Sequence, residues 1–449
     1  MAFAEKNPFD LLDSKQMIDR MSDSHPSTRR LSRGVRRNLI CHSFEGGLYM
    51  GGTAFLAPDS VMPKMVDTLG GRIWIVALMP ALLPAAFAFA GLFVSPFVER
   101  LHSFKPWVLF FGVLQRLPYL MTGLILLFAE NLDDQLLTIV VLTPIVSGLI
   151  GGVTMVAWME MVTRMIPERV RATGWAARYI MQACIGMGAG AVIHEVLTHI
   201  PGREGYAWLH LSTFALLSLS WAAQLPMREV VGHLPSHEQG PMTPYWKYLR
   251  TLPKLLKAQP VLLRLIAARF TGMGYLMVFS FLTIHALHMT QRPEADEGHF
   301  VTAQSTGTIL GSLLAGLLGY VSGGKVLLVL SRLIFIVVCS WLAFTESFAG
   351  FLVTYFVLGF GLFLDRVGDL TLAAELCPLE RRSTYQALLN FCNLWSFLTT
   401  TTLGGLLYAW SASFFSVLAT AAGMAILSVL ILRTIPEPRT HKRPALTQD

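Results

Sequence analysis

Residues 351–372 read FLVTYFVLGFGLFLDRVGDLTL. Phe351 to Leu364 carries no charge, and then Asp365, Arg366 and Asp369 arrive within five residues. In water such a trio is ordinary, but inside a bilayer each charge is costly to bury. Whether this run crosses a membrane therefore decides the fold. Working outward, apolar stretches of similar length recur along nearly the whole chain, and about 20 apolar residues are what a helix needs to cross a bilayer.

The 449 residues are 53% hydrophobic and 14% charged, with mean hydropathy +0.54. Soluble domains carry about 25% charged residues. The period-two alternation of a membrane barrel is absent from the sequence. The reading is an all-α membrane protein with twelve transmembrane helices near 38–59, 74–96, 106–128, 136–160, 174–196, 206–225, 264–288, 301–321, 325–345, 349–373, 385–408 and 411–432. The first is the weakest, because Glu45 and four glycines (Gly46, Gly47, Gly51, Gly52) interrupt it.

Lysine and arginine bias in the short loops sets orientation. RRLSRGVRR in the N-terminal tail, Arg100, Lys105, Arg164, Arg169, Arg171, Arg381, Arg382, Arg433 and Arg439 all fall on one side, while AENLDD and QRPEADEGH fall on the other. Both termini are expected in the cytoplasm. The net charge of +7 thus reflects membrane orientation, and no nucleic-acid partner is expected. Five scattered cysteines show no metal-ligand spacing, so free thiols, no metal and no cofactor are expected. No cleavable signal peptide opens the chain. Short loops, outer loops without glycosylation sequons and the lack of targeting signals fit a multi-pass protein of a bacterial inner membrane.

The longest loop divides the chain into a cytoplasmic tail (1–37), a first six-helix bundle (38–225), a cytoplasmic linker (226–263), a second six-helix bundle (264–433) and a cytoplasmic tail (434–449). In the linker, YWKYLRTLPKLLKAQPVLLRLI mixes aromatic and basic residues in the manner of an interfacial amphipathic helix, or a simple tether between the halves. The bundles also repeat. IPERVRATGWAARYI follows span four and CPLERRSTYQALLNF follows span ten; aligning Pro167 with Pro378 sets Arg171 on Arg382 and Thr173 on Thr384. Arg116 in span three and Arg332 in span nine each follow a short basic loop containing Lys105 or Lys325. Two parallel-related six-span halves are a recurring plan for secondary transporters.

These residues resemble the major facilitator superfamily over about residues 38–433. ELCPLERR looks like its E-x6-R element, through Glu375 and Arg382; Arg164 stands where the first-half copy wants a glutamate, with Glu160 one turn earlier in position for an i,i+4 pair. SPFVERLHSFK keeps Glu99 and Arg100 of the family's acidic–basic loop signature, and GLLGYVSGGK keeps Gly316, Gly323 and Lys325. The resemblance implies a pseudo-symmetric pair of bundles, alternating access to a central site, proton coupling as the default and a cytoplasmic gate built on Glu99, Arg100, Glu160, Arg164, Arg171, Glu375 and Arg382.

The intramembrane charges carry the functional expectations. Arg116 lies close to mid-membrane and must face a carboxylate or a water-filled cavity. Two roles fit it: a permanent bridge to Glu45, or recognition of an anionic group on the substrate, with Arg332 in support. Glu45 could instead bind a proton or a cationic group in the cavity. Asp365 and Asp369 share one face of span ten, with Arg366 about 100° away. They serve either as an ion-pair cluster with Arg332 or Arg382, or as carboxylates that titrate during transport. Arg178 sits near the cytoplasmic boundary, where its side chain can snorkel. Asn390 and Asn393 on span eleven either pack between helices or line the pathway.

The function expected is secondary active transport of a small organic solute by a monomer in the lipid bilayer, coupled to protons and leaning to an anionic or zwitterionic solute. Export of amphipathic compounds is the alternative. A lipid-modifying membrane enzyme would need a catalytic set that the outer-side histidines (among them His194 and His299) do not form by spacing, so no enzyme activity is expected. No nucleotide-binding loop occurs.

Overall fold

A computed structural model describes residues 32–98, 101–129, 133–229, 256–377 and 382–436, together with 250 and 254. Among the described residues there are fourteen α-helices and no strands. They are α1 (Arg33–Gly52), α2 (Val61–Thr68), α3 (Ile73–Val98), α4 (Lys105–Phe128), α5 (Asp133–Met165), α6 (Glu168–His199), α7 (Arg203–Gln224), α8 (Pro260–Gly272), α9 (Tyr275–Thr290), α10 (Glu297–Ser322), α11 (Gly324–Leu342), α12 (Phe348–Leu376), α13 (Arg382–Ser411) and α14 (Phe414–Arg433). The N-terminal tail and nearly all of the linker with its expected amphipathic helix lie outside the described residues.

Twelve spans result, since α8 and α9 run as one crossing and α2 is a short helix after span one. Eight of the spans are long and apolar enough to cross a membrane on those two criteria alone. The other four, α1, α7, α10 and α13, carry their glycines, serines, threonines and charges against neighbouring helices: α1 packs on α6 and α7, α10 on α6 and α12, and α13 on α3. A helix that faces protein on its polar side needs no uniformly apolar surface.

Two spans are broken where the sequence suggested continuous helices. Span one ends at Gly52, continues as a single 3-10 turn over Thr53–Leu56 and is stopped by Pro58. Span seven is interrupted at Met273 and Gly274, where Met273 N bonds Phe270 O (3.3 Å), Gly274 N bonds Thr271 O (3.4 Å) and Met277 N bonds Gly274 O (3.1 Å). These i→i+3 bonds tighten the backbone locally, a usual mark of a hinge. Each interruption falls in the first span of its six-span set.

The face at which the described residues begin, at Ser32, and end, at Pro436, is called terminal here, and the opposite face distal. On the distal side one hydrophobic core joins the two sets of helices, with Phe55, Met65 and Tyr206 of the first in the same cluster as Phe279, Phe300 and Tyr355 of the second. On the terminal side the core is divided. Val98, Phe104, Trp158 and Met161 form one cluster, and Leu265, Tyr385, Leu389 and Leu432 form another. The halves are therefore closed against each other distally and separate terminally.

Candidate functional site

The most buried ion pair joins α1 to α6. Arg178 Nη1 lies 2.5 Å from Glu45 Oε2, and each side chain is only 5% exposed. The guanidinium lies against two indoles that meet edge to face, with its carbon 4.6 Å from the Trp158 ring centre and 5.2 Å from that of Trp175. His42 Nδ1 is 3.4 Å away, and Gln224 Nε2 reaches Glu45 Oε1 at 3.5 Å. Gly46 makes this possible: a Cβ there would fall 1.9 Å from Arg178 Cζ, so the guanidinium lies directly on the α1 backbone.

Two expectations are corrected here. Arg178 does not snorkel, because α6 begins at Glu168, which puts the residue about 15 Å into the helix at 1.5 Å per residue. Glu45 pairs with Arg178 and not with Arg116. The Arg116 side chain points between α4 and α7, where Nε donates to Leu217 O (2.5 Å) and Nη1 to Gly112 O, with the Tyr49 ring 6.0 Å off. Two backbone carbonyls therefore hold the guanidinium against α4 and α7, engaging Nε and one Nη1 hydrogen of its five donors.

The second half solves the same problem with four charges. Arg269 Nε donates to Asp369 Oδ1 at 2.5 Å, joining α8 to α12. Arg332 Nη1 of α11 pairs with Asp365 Oδ1 at 2.5 Å, and its Nε donates to Ser428 Oγ of α14 at 3.3 Å. Both arginines are buried, whereas the Asp365 and Asp369 side chains are 16% and 24% exposed. Gly272 plays the part of Gly46, since a Cβ there would fall 2.3 Å from Arg332 Nη2. The expected partnership of Asp365 with Arg332 is present; Arg269 went unnoticed because it falls in the first turns of span seven, where a basic residue reads as an interfacial anchor. Arg366 is exposed and pairs with no described side chain. Asn390 is exposed and Asn393 half-buried on α13.

At the terminal face the expected Glu160–Arg164 pair does not form. Glu160 is exposed, while Arg164 lies 3.8 Å from Glu229 and over the Phe104 ring at 4.3 Å. Glu229 is better placed as a partner because it also accepts from Ser103 Oγ (2.7 Å), Phe104 N (3.0 Å) and Lys105 N (3.1 Å), capping the start of α4. Glu99 and Arg100 lie outside the described residues, as do the side chains of Arg171 and Arg382; Glu375 is half-buried at the end of α12. The repeat is visible in the caps. Lys105 Nζ donates to Leu225 O (2.8 Å) and Met227 O (2.7 Å) at the end of α7, and Lys325 Nζ donates to Ile435 O (2.6 Å) just past α14.

Every described side-chain hydrogen bond between the halves lies on the distal side. Thr68 Oγ1 donates to Glu294 Oε1 (2.5 Å), Gln304 Nε2 to Asp59 Oδ2 (2.5 Å), Ser280 Oγ to Ala77 O (2.7 Å) and Thr302 Oγ1 to Met187 O (3.3 Å). Lys64 adds an ion pair to Glu294 at 3.7 Å. At mid-depth the Tyr179 and Phe363 rings meet edge to face, 5.0 Å apart.

Comparison with known proteins agrees with this geometry. No curated protein sequence matches the chain. The family model of the Major Facilitator Superfamily matches residues 293–448. The fold is similar to that of a bacterial homologue of the human lysosomal transporter Spinster, in an inward-facing and unoccupied conformation, with TM-score 0.58 and 14% identity over 90% of this chain and 95% of that one. It is similar also to a D-xylose–proton symporter (TM-score 0.66, 12% identity, 90% of this chain and 99% of that one) and to the nucleoside transporter NupG (TM-score 0.66, 11% identity, 88% and 99%). The family match lies within the second half of the chain, and the twelve-span fold is similar to that of these membrane transporters.

Proposed function

We propose that the chain is a proton-coupled secondary transporter of a small anionic or zwitterionic organic solute, working as a monomer in a bacterial inner membrane with its terminal face in the cytoplasm. Residues 38–225 and 264–433 are the two moving bodies, joined by 226–263. The observation that carries this reading is the distribution of the core, shared by both halves distally and divided between them terminally. That is the arrangement of a two-body carrier open to one side, and it is hard to account for in a static assembly. The basic loops on the terminal side support a cytoplasmic assignment of that face.

For the solute, Arg366 is the best-placed cation. It is exposed and has no described partner, whereas Arg116 and Arg332 are buried and each already holds protein acceptors through Nε and Nη1. A guanidinium with free donors takes a carboxylate or phosphate bidentately. For coupling, Asp369 and Asp365 are the carboxylates within reach of water. A thermal-stability screen of purified protein against organic anions, amino acids, sugars and hydrophobic cations tests the solute. A stabilising anion whose effect is lost in Arg366→Gln supports the reading, and stabilisation by hydrophobic cations alone would replace it with export of amphipathic compounds. With the solute in hand, Asp369→Asn in proteoliposomes should lose uphill uptake driven by a proton gradient and keep downhill flux; unchanged uphill uptake in both Asp369→Asn and Asp365→Asn would remove proton coupling through these groups.

A further inference from the structure

Three side chains meet at the distal face where the halves touch. His194 stands near the distal end of α6, in the first half; Asp296 precedes α10 and His299 lies in its first turn, in the second half. His194 Nδ1 is 3.5 Å from Asp296 Oδ1, and His299 Nε2 is 3.6 Å from the same oxygen. The two imidazoles are 4.3 Å apart between ring centres, and all three potential ligand atoms lie within 4.8 Å of one another. A tetrahedral ion with bonds of about 2.0–2.1 Å to nitrogen or oxygen sets its ligands about 3.3–3.4 Å apart. Two edges of the trio already have nearly that length.

The trio is also chemically unfinished. Asp296 is 6% exposed, and its buried Oδ2 has no hydrogen-bond partner. Arg292 Nη1 stands 3.5 Å from that oxygen, but its side chain is 51% exposed and free to turn outward. The histidines are 35% and 46% exposed, so an ion can reach them from the distal side. His194 Nδ1 lies 3.0 Å from Ala295 O, to which its N–H can donate; a bound cation would take the place of that proton, as metals do at histidine.

We propose that His194, Asp296 and His299 form a zinc site that holds the distal gate shut. Two imidazoles and one carboxylate, with water in the fourth position, are a borderline-soft set that suits Zn2+ and rejects Mg2+ and Ca2+, which want oxygen cages. Because His194 belongs to one half and the other two ligands to the other, a bound ion ties the halves together. It binds the distally closed state better than a distally open one, so by mass action it withdraws the carrier from its cycle. This second consequence rests on the alternating-access reading above; the metal site itself does not.

Calorimetric titration of the purified full-length protein with zinc chloride tests the site. One zinc per chain is expected, with affinity falling at least tenfold in each of His194→Ala, His299→Ala and Asp296→Asn. Arg292→Gln should bind zinc several-fold more tightly, because a cation beside the carboxylate is removed. That gain is one that mere loss of folding cannot imitate. No saturable binding, or binding unaltered in both histidine variants, would overturn the site. The gate is read separately, by membrane-impermeant maleimide labelling of Thr302→Cys at the distal interface, corrected for labelling of the unaltered chain. Zinc should slow labelling several-fold and leave the rate unchanged when His194→Ala is added. Zinc that binds without slowing the label would overturn the gating role, and with it the reading of the distal face as a gate at this position.

Discussion

Removing Arg178 should be among the most damaging single changes this protein can undergo. Arg178→Met keeps the volume of the side chain between Trp158 and Trp175 but leaves Glu45, 5% exposed, with Gln224 Nε2 at 3.5 Å as its remaining side-chain donor. Breaking a buried pair from one side typically costs about 3–5 kcal/mol, since the orphaned charge must be neutralised or hydrated in place. Glu45→Leu leaves the guanidinium against two indole faces and beside His42; the loss of a charged hydrogen bond costs about 1.5–3 kcal/mol. If the two groups stabilise each other, the double variant loses the pair together and strands nothing. It should then be about 2–3 kcal/mol more stable than the sum of the single losses. Unfolding in mixed micelles followed by tryptophan fluorescence measures all three, because Trp158 and Trp175 flank the pair. Additivity within about 0.5 kcal/mol would refute the reasoning and return Glu45 to the list of groups that titrate on their own.

The glycines make a related prediction. Gly46→Ala and Gly272→Ala each place a methyl inside a guanidinium, 1.9 Å from Arg178 Cζ and 2.3 Å from Arg332 Nη2, so each should lower the unfolding midpoint. The Gly46→Ala loss should largely vanish when Arg178→Met is already present; a Gly46→Ala loss that persists in full would show that the glycine serves the backbone instead. Glu229→Ala removes the carboxylate that accepts from Phe104 N and Lys105 N and should cost about 0.5–2 kcal/mol, the range for a lost helix cap. Glu229→Gln, which keeps an acceptor oxygen, should recover part of that in the same unfolding measurement, and no difference between the two would remove the capping role.

The crossings themselves were legible because lipid demands long apolar runs, and α3, α4, α5 and α14 announce themselves that way. The repeat was legible from Lys105 and Lys325, though not that each lysine caps the last helix of its own half. What hydropathy leaves open is rotation about the helix axis, because a helix face against lipid and a face against another helix are equally apolar. Arg116 and Glu45 sit at similar depth, and depth alone suggested a pair. The α4 axis instead turns Arg116 toward the α7 backbone, while Arg178, placed near the boundary by a span start six residues too late, reaches Glu45. Glu229 was missed for a different reason: it follows span six in a loop, and no local pattern links it to the start of α4 over a hundred residues earlier.

The two halves hold their intramembrane charges in different ways, and the difference assigns their work. In the first half one acid and one base neutralise each other with both side chains 5% exposed. Such a pair gains nothing from water and loses much if parted, which suits a rigid body. In the second half two acids face two bases, the arginines buried and the carboxylates of Asp365 and Asp369 16% and 24% exposed. A group that exchanges a proton with solvent must meet water in at least one state of the cycle, and its partner must be able to stay paired elsewhere when it does. Asp369 meets the first condition more fully than Asp365. With Asp369 protonated, Asp365, one turn away on α12, remains as the carboxylate of the cluster to be shared by Arg332 and Arg269. On the function proposed here, coupling therefore falls to α12 and its break-bearing neighbour α8–α9, where a change of charge on one aspartate acts beside the interruption at Met273 and Gly274.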